Sequence, residues 1–326
     1  MQTAKHHEEK IDQALQADVA AHDFVAASWQ RSANVHRLEP CRTHVPHRLS
    51  AVEFKQACER LGPLVDTAQI SLDRLYQAVG CDGCCVLLAD RNGIPVDRRG
   101  AAGDDVTFRE WGLWTGTVWS ESHEGTNGIG TSIVEERALT IHMDQHFHVK
   151  NTGLSCSAAP IFDHEGNLIA VLDVSSCRSD MSVGFSRLVS MTELDAARQI
   201  EAAHFEYKFS DARVMLANAP QDFGRAHCGQ QGVSLVAVDR DDMVVGATRA
   251  ARRLFGLNDD DLKKPLPLSL LYGQQVNDAS QYSQAGRRTI LQALARQNGN
   301  VSAAARALGV SRATLHRKIK HLKIDC

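Results

Sequence analysis

Ser157-Ala158-Ala159-Pro160-Ile161-Phe162, Asp163-His164-Glu165-Gly166 and Leu168-Ile169-Ala170-Val171-Leu172-Asp173-Val174 form two short apolar runs around a polar turn that ends in glycine. Runs of this length, rich in β-branched residues and bounded by turn residues, fold as strands, and so tight a connection makes them antiparallel. Cys85-Val86-Leu87-Leu88-Ala89-Asp90, Arg91-Asn92-Gly93 and Ile94-Pro95-Val96 read as a second hairpin with Asn-Gly at its tip. On either side the apolar spacing lengthens to a helical period, at Leu64, Ala68, Leu72, Leu75 and Val79 before, and from Ser186 to about Ala217 after. Strands joined by hairpins and bracketed by helices predict an α+β class, an antiparallel sheet with flanking helices.

Working outward, the first forty residues carry Ile11, Leu15, Val19, Phe24 and Val25 at helical spacing, as far as Arg31, and Leu38-Glu39-Pro40 ends that pattern. A further helical segment spans about Ser50 to Leu61, with Gly62-Pro63 before the next stripe. A third hairpin is expected at Val233–Val238 and Met243–Val245, followed by a helix at Ala250–Leu257, and the polar stretch to Gln284 reads as a linker. The expected division is a helical segment 1–60, a main α+β domain 61–217, a small connector 225–273, a linker 274–283 and an all-α domain 284–326.

Hydrophobic residues make up 43% of the 326 and charged residues 23%, a composition able to bury sizeable cores. The total charge of -3 conceals a division. From Gln284 to Cys326 nine Lys/Arg face one acid, a net +8, which leaves 27 basic and 38 acidic residues elsewhere, a net −11. A basic end on an acidic body predicts a polyanion-binding module. No apolar run suits a membrane span or a signal peptide, so a cytoplasmic location without a membrane partner is expected. Nine sparse cysteines fit a reducing compartment.

Within the basic end, Gly299-Asn300-Val301-Ser302-Ala303-Ala304-Ala305-Arg306-Ala307-Leu308-Gly309-Val310-Ser311-Arg312-Ala313-Thr314-Leu315 has the logic of a helix-turn-helix. Ser302 is expected to cap a short Ala-rich helix, Gly309 to make the turn and Ser311 to cap the next helix. Leu315, Ile319 and Leu322 must then face inward, and the opposite face is centred on Ala313, Arg317 and Lys320. Ser311, Arg312, Ala313, Thr314, His316, Arg317, Lys318 and Lys320 are the expected contacts to double-stranded DNA. Arg317 suits the O6/N7 edge of guanine, Ala313 and Thr314 a thymine methyl, and Arg312 and Lys320 the phosphates. This stretch resembles the C-terminal domain of the factor-for-inversion-stimulation (Fis) type. That resemblance implies a homodimer, with Ile290, Leu291 and Leu294 in the dimer contact.

Ser28-Trp29-Gln30-Arg31-Ser32, Trp119-Ser120-Glu121, Gly125-Thr126-Asn127-Gly128-Ile129-Gly130-Thr131, Gln145-His146-Phe147, Cys156 to Asp163 and Ala170 to Ser175 resemble, in that order, the sensor region of acetoin-catabolism-type transcriptional activators. The resemblance implies a GAF-like domain. The unit from Gly229 to about Leu271 is similar to the first half of a PAS domain. Activators of that family carry an ATPase between sensor and DNA-binding end, whereas the dipeptide Gly-Lys needed for a phosphate-binding loop never occurs here. The arrangement is similar to the ATPase-less GAF–Fis regulators of alphaproteobacteria, some of which activate gene transfer agent clusters. This implies a regulator that acts without ATP hydrolysis, by contacting RNA polymerase or by competing for DNA.

GAF domains hold small molecules between the sheet and a covering helix. The resemblance therefore places Trp111, Trp114, Trp119, Asn127, Thr131, His142, His146, Phe147, Cys156 and Ala158 around a pocket for an unidentified small-molecule effector, with no other cofactor expected. The alternative is that these residues complete a core and the domain only dimerises, in a repressor or nucleoid-type protein. A third reading is a redox or metal sensor built on Cys81, Cys84 and Cys85, or on His142, His146 and His148. No second C-x-x-C accompanies the first, so no metal site is assigned. No catalytic residue is assigned either, since Gly153-Leu154-Ser155-Cys156-Ser157 lacks the closing glycine of a nucleophile elbow.

Overall fold

The structure is a computed structural model that describes residues 2–16, 23–80, 83–178, 182–217, 232–240, 242–264, 266–271, 286, 289–290, 293–294, 297, 299–322 and 324. They fall into two compact units, Met1–Pro265 and Leu266–Cys326. The linker expected at 274–283 lies outside the described residues.

In the first unit the two predicted hairpins become β1 (Cys84–Asp90) with β2 (Pro95–Gly100), and β4 (Ser155–Phe162) with β5 (Leu168–Ser176). With β3 (Leu139–His142) they form one antiparallel sheet in the order β2-β1-β5-β4-β3. The first turn is closed by its own sequence, because Asp90 Oδ1 accepts from the backbone N–H of Asn92 and Ile94 and Gly93 takes φ +78. Alternation along β5 gives the sheet two different faces. Ala170, Leu172 and Val174 pack with Leu88, Ile161, Leu64, Leu72, Leu75 and Ile200 beneath two long helices, α3 (Ala51–Val79) and α7 (Val183–Lys208). Cys85, Leu87 and Ala89 point the other way. They meet Phe108 of α4 (Asp105–Trp111), Leu113, Trp119, Ile129 of α6 (Gly128–Glu135), Leu154 and Cys156. A four-residue helix, α5 (Glu121–Glu124), precedes α6.

Three sequence expectations change. The boundary between residues 60 and 61 falls inside α3, which runs unbroken through Gly62-Pro63. Pro63 lies on the exposed side, where the carbonyl left without its N–H partner can meet water, and Ser50 with Glu53 forms a capping box that fixes the start. The single N-terminal helix is instead α1 (Gln2–Gln16) and α2 (Phe24–Gln30), the second capped by Asp23, continued by a π-turn at Arg31–Val35. The helical reading to Ala217 fails after Lys208, for Arg213–Leu216 is β6, paired with β7 (Leu235–Val238). Three consecutive apolar residues, Val214-Met215-Leu216, suit either period, and pairing decides.

β6, β7 and β8 (Val244–Ala247) make a three-stranded sheet, followed by α8 (Arg249–Phe255) and α9 (Asp259–Leu262). The second unit contains α10 (Leu268–Leu271), helical residues 289–290 and 293–294, α11 (Val301–Ala307) and α12 (Arg312–His321). Among the described residues, no helix is long and apolar enough to cross a membrane.

Candidate functional site

α11 and α12 build the basic site. Asn300, two residues before the expected Ser302, caps α11: its Oδ1 accepts from the N–H of Ser302 and Ala303 at 3.1 Å each. Asn is as good a cap as Ser, and from position 300 it reaches two orphan donors. Ala304 and Ala305 are buried, which lets α12 cross closely. Gly309 turns the chain at φ +66, and Ser311 Oγ accepts from the Thr314 N–H at 3.1 Å to start α12. Leu315 and Ile319 are buried on one side of α12, while Arg312, Ala313, His316, Arg317, Lys318 and Lys320 are exposed on the other. Thr314 is half-buried, with its hydroxyl 2.9 Å from that of Ser311. Among the described residues no carboxylate pairs with Arg312, Arg317, Lys318 or Lys320, so this face keeps its full positive charge.

Ile290 and Leu294, expected at a dimer contact, are buried in the chain's own core with Ala304, Leu315, Ile319 and Ile324. Leu308, Val310 and Leu322 pack against the same cluster, so Ile290 and Leu294 form part of the apolar bed that seats α12. Leu291 lies outside the described residues.

In the first unit several of the motifs quoted above meet in a polar staple that joins α2 to the rest of the domain. Arg31 donates from Nε and Nη2 to both oxygens of buried Glu121, 2.9 Å each, and reaches Glu135 at 2.9 Å. The Ser28 hydroxyl donates to Glu121 and lies 2.7 Å from that of Thr126 and 3.3 Å from that of Thr131. Asn127 caps α6 through Gly130 N–H and donates to the carbonyls of Trp119 and Gly125. Trp29 Nε1 donates to the Gln145 carbonyl at 2.8 Å. A neighbouring buried carboxylate, Glu124, is held by His44 and Lys150 at 2.8 Å each and by Asn151. Burial pushes its carboxyl up, yet the bonds from Lys150 and His44 outweigh that and leave it below its ordinary value.

The residues expected around one pocket therefore separate into four groups. Asn127 and Thr131 belong to the staple. Phe147 packs with Ile11, Val25 and Trp29 against the N-terminal helices, and His146 is buried beside it. Burial holds the His146 imidazole neutral with a pKa of about 4. His142 bonds Ser155 on the sheet, its Nδ1 2.6 Å from the Ser155 hydroxyl. Only Trp111, Trp114, Trp119, Cys156 and Ala158 share the face of the sheet opposite α3 and α7. That face also carries three polar side chains absent from the sequence expectation, Arg98, Asp173 and Ser175. Asp173 Oδ2 accepts from Ser175 Oγ at 2.6 Å, Oδ1 has no partner, and burial pushes its carboxyl up to about 7. Strict alternation from Leu172 and Val174 would have revealed Asp173. A second carboxyl, Glu193 of α7, is likewise buried and pushed well above its ordinary value. On the α7 side of the sheet a cavity of about 10 Å³, the room of one water, is lined by Thr140, Ser155, Ser157, Ser176 and Ser186 with Cys84.

The metal and redox readings lose their geometry. Cys84 lies on the α7 side and Cys85 on the other, and Cys81 lies outside the described residues. Cys85 and Cys156 both pair with Ser175, so a whole strand separates them, roughly 10 Å between Cα atoms, beyond disulfide reach. Burial pushes both thiols well above their ordinary value. No group of three or more His, Cys, Asp or Glu among the described residues is placed to hold a metal.

A sheet sensor joined to a basic helix-turn-helix defines a DNA-binding transcriptional regulator. Residues 63–202 match the GAF domain family and residues 284–322 the bacterial regulatory protein, Fis family. The chain thus carries a GAF domain and a Fis-type helix-turn-helix domain, and it is homologous to acetoin-catabolism-type transcriptional activators. It is 33% identical over 240 residues to the acetoin catabolism regulatory protein of Cupriavidus necator, covering 73% of this chain and 35% of that protein. It is 27% identical over 151 residues to the acetoin dehydrogenase operon transcriptional activator AcoR of Bacillus subtilis, 46% of this chain and 25% of the relative. The chain thus spans about a quarter to a third of the length of these relatives. Its fold is similar to a chain in the crystal structure of the E. coli DhaR(N)–DhaL complex, with a TM-score of 0.51 and 15% identity, covering 72% of this chain and 77% of that one.

Proposed function

We propose that this protein is a cytoplasmic, non-enzymatic, sequence-specific regulator in which the GAF domain controls a homodimeric Fis-type reader, acting without ATP hydrolysis and through contact with RNA polymerase. The exposed, unpaired basic face of α12 over buried Leu315 and Ile319 carries the reading. Only residues 203–283 lie between the two family matches, which supports action without an intervening ATPase. A chain ending at Gln281 is expected to keep its thermal stability and lose DNA affinity in a mobility-shift titration. Undiminished binding would refute the division of labour.

Homodimerisation is supported by α7. Leu188 and Met191 are 62% and 69% exposed there, and Arg187 and Asp195 sit four residues before and after Met191. Two copies crossing antiparallel at Met191 would bury both apolar residues and set Arg187 of each against Asp195 of the other. Met191→Glu is expected to sediment as a monomer where the unaltered chain sediments as a dimer. An unchanged sedimentation coefficient would rule out this contact. The second reading, a GAF domain that only dimerises, is favoured by the filling of its interior by Trp119, Phe108 and Leu113.

A further inference from the structure

Arg98 of β2 is the least explained side chain in the sheet. It is an edge-strand arginine whose side chain is only 10% exposed. One nitrogen, Nη1, donates to Asp105 at 2.9 Å, but Nε and Nη2 are buried without a partner among the described residues. Nε–H and Nη2–H lie parallel on one edge of the guanidinium, the edge that receives the two oxygens of a carboxylate. Leaving buried charged donors unmade is among the more costly defects a fold can hold. The guanidinium is nonetheless fixed in place. Its carbon lies 4.2 Å from the Trp114 ring centre and 5.3 Å from that of Phe108, and Arg109 closes the far side of Trp114 at 3.8 Å. Gly100 lies against the guanidinium, since a Cβ there would meet Nη2 at 2.4 Å and the guanidinium carbon at 2.8 Å. The fork therefore occupies space that another residue type at position 100 would fill.

A second unpartnered group lies on the same row of the sheet. Arg98 and Asp173 both stand opposite Leu87, one strand to either side. Asp173 Oδ1 has no hydrogen bond. Trp114, which covers Arg98, sits between Gly112 and Gly116, each at φ +79, a left-handed conformation that only glycine adopts freely. The segment is a tight turn held at its ends by the Leu113 N–H on the Phe108 carbonyl and the Gly116 N–H on the Pro95 carbonyl, 2.9 Å each, with the Trp114 ring standing over the arginine.

We propose that Arg98 is the anchor of an effector site on this face of the GAF domain, and that it takes the carboxylate of a small organic acid whose far end hydrogen-bonds Asp173. The inference rests on the sensor reading above and narrows it to an anionic ligand admitted by displacement of Trp114. Burial keeps Asp173 partly protonated near neutral pH, so it can donate to a hydroxyl or carbonyl oxygen instead of repelling the acid.

The test uses the full chain with pyruvate, lactate and succinate as probes, and with methyl pyruvate and acetoin as uncharged comparisons, read by thermal shift and tryptophan fluorescence. At least one of the acids is expected to raise the Tm and change the emission, and methyl pyruvate to do neither. Arg98→Lys keeps a charge for Asp105 but loses the two-donor edge, and is expected to weaken binding at least tenfold. Trp114→Phe is expected to bind while losing the fluorescence change. Equal binding of pyruvate and methyl pyruvate, or unweakened binding by Arg98→Lys, overturns the carboxylate assignment. A response to acetoin alone, indifferent to Arg98, overturns it too while leaving the sensor reading standing. No response to any of the five overturns both.

Discussion

Replacing Arg317 and Lys320 with alanine lowers affinity for the specific site by roughly a hundredfold at physiological salt, while the far-ultraviolet circular dichroism stays as it was. The magnitude follows from the two roles their positions on α12 allow. A bidentate arginine–guanine contact contributes about 1–3 kcal/mol of discrimination. One phosphate neutralised by lysine adds a term that falls with salt, with a slope of about −0.9 per contact. Both side chains are exposed, and among the described residues neither meets a carboxylate, so no intramolecular pair has to break before DNA is bound. The fold should not suffer, because Leu315 and Ile319, which seat the helix, are untouched. Measured singly, the two changes should separate. Lys320→Ala should reduce the slope of log affinity against log salt by about one and weaken all sequences alike. Arg317→Ala should flatten preference at one base pair of each half-site. A double variant that binds its site as tightly as the unaltered chain would remove α12 from the groove.

What could be read ahead of the structure divides along physical lines. The hairpins were legible because period two and an Asn-Gly tip are local signals, and the outward face of α12 because 100° per residue places Arg317 opposite Leu315 with no further information. The shift of the α11 cap from Ser302 to Asn300 is a choice between two good caps, which local propensity does not settle. Ile290 and Leu294 show the limit of a family resemblance. An apolar stripe needs burial, but sequence does not say whether the cover is a second chain or the helix that follows. The residues expected around one pocket are spread over several elements for a related reason. Asn127, Thr131 and Phe147 come from motifs that stand together in the sequence, yet their partners are Trp119, Ser28 and Ile11, on other segments. Asp173 was legible in the alternation of β5, whereas Arg98, on an edge strand, announces itself only once the two faces of the sheet are known.

Arg31→Ala should be the most damaging single change to the sensor that leaves the DNA-binding face alone. The guanidinium makes two hydrogen bonds to Glu121 and a third contact to Glu135, and Glu121 is 3% exposed. Removing one member of a fully buried pair costs about 3–5 kcal/mol, mostly because the remaining charge has no compensation. The Arg31 side chain is 28% exposed, so water can partly replace it, and about 2–3 kcal/mol is the reasonable expectation here. For a unit of this size that is a fall of several degrees in Tm. The same change should loosen α2, and with it α1, although the apolar contacts of Ile11, Val25 and Trp29, the Trp29 bond to Gln145 and the Lys10–Asp144 pair remain, so limited proteolysis should cut more readily within the first thirty-five residues. Arg31→Lys should fall between, since an ammonium cannot hold both oxygens of Glu121 side-on. The decisive comparison is with Arg31→Ala, Glu121→Gln. If the stranded charge is the cause, the double variant is more stable than Arg31→Ala alone; if it is less stable, Arg31 acts through packing and the staple is not electrostatic.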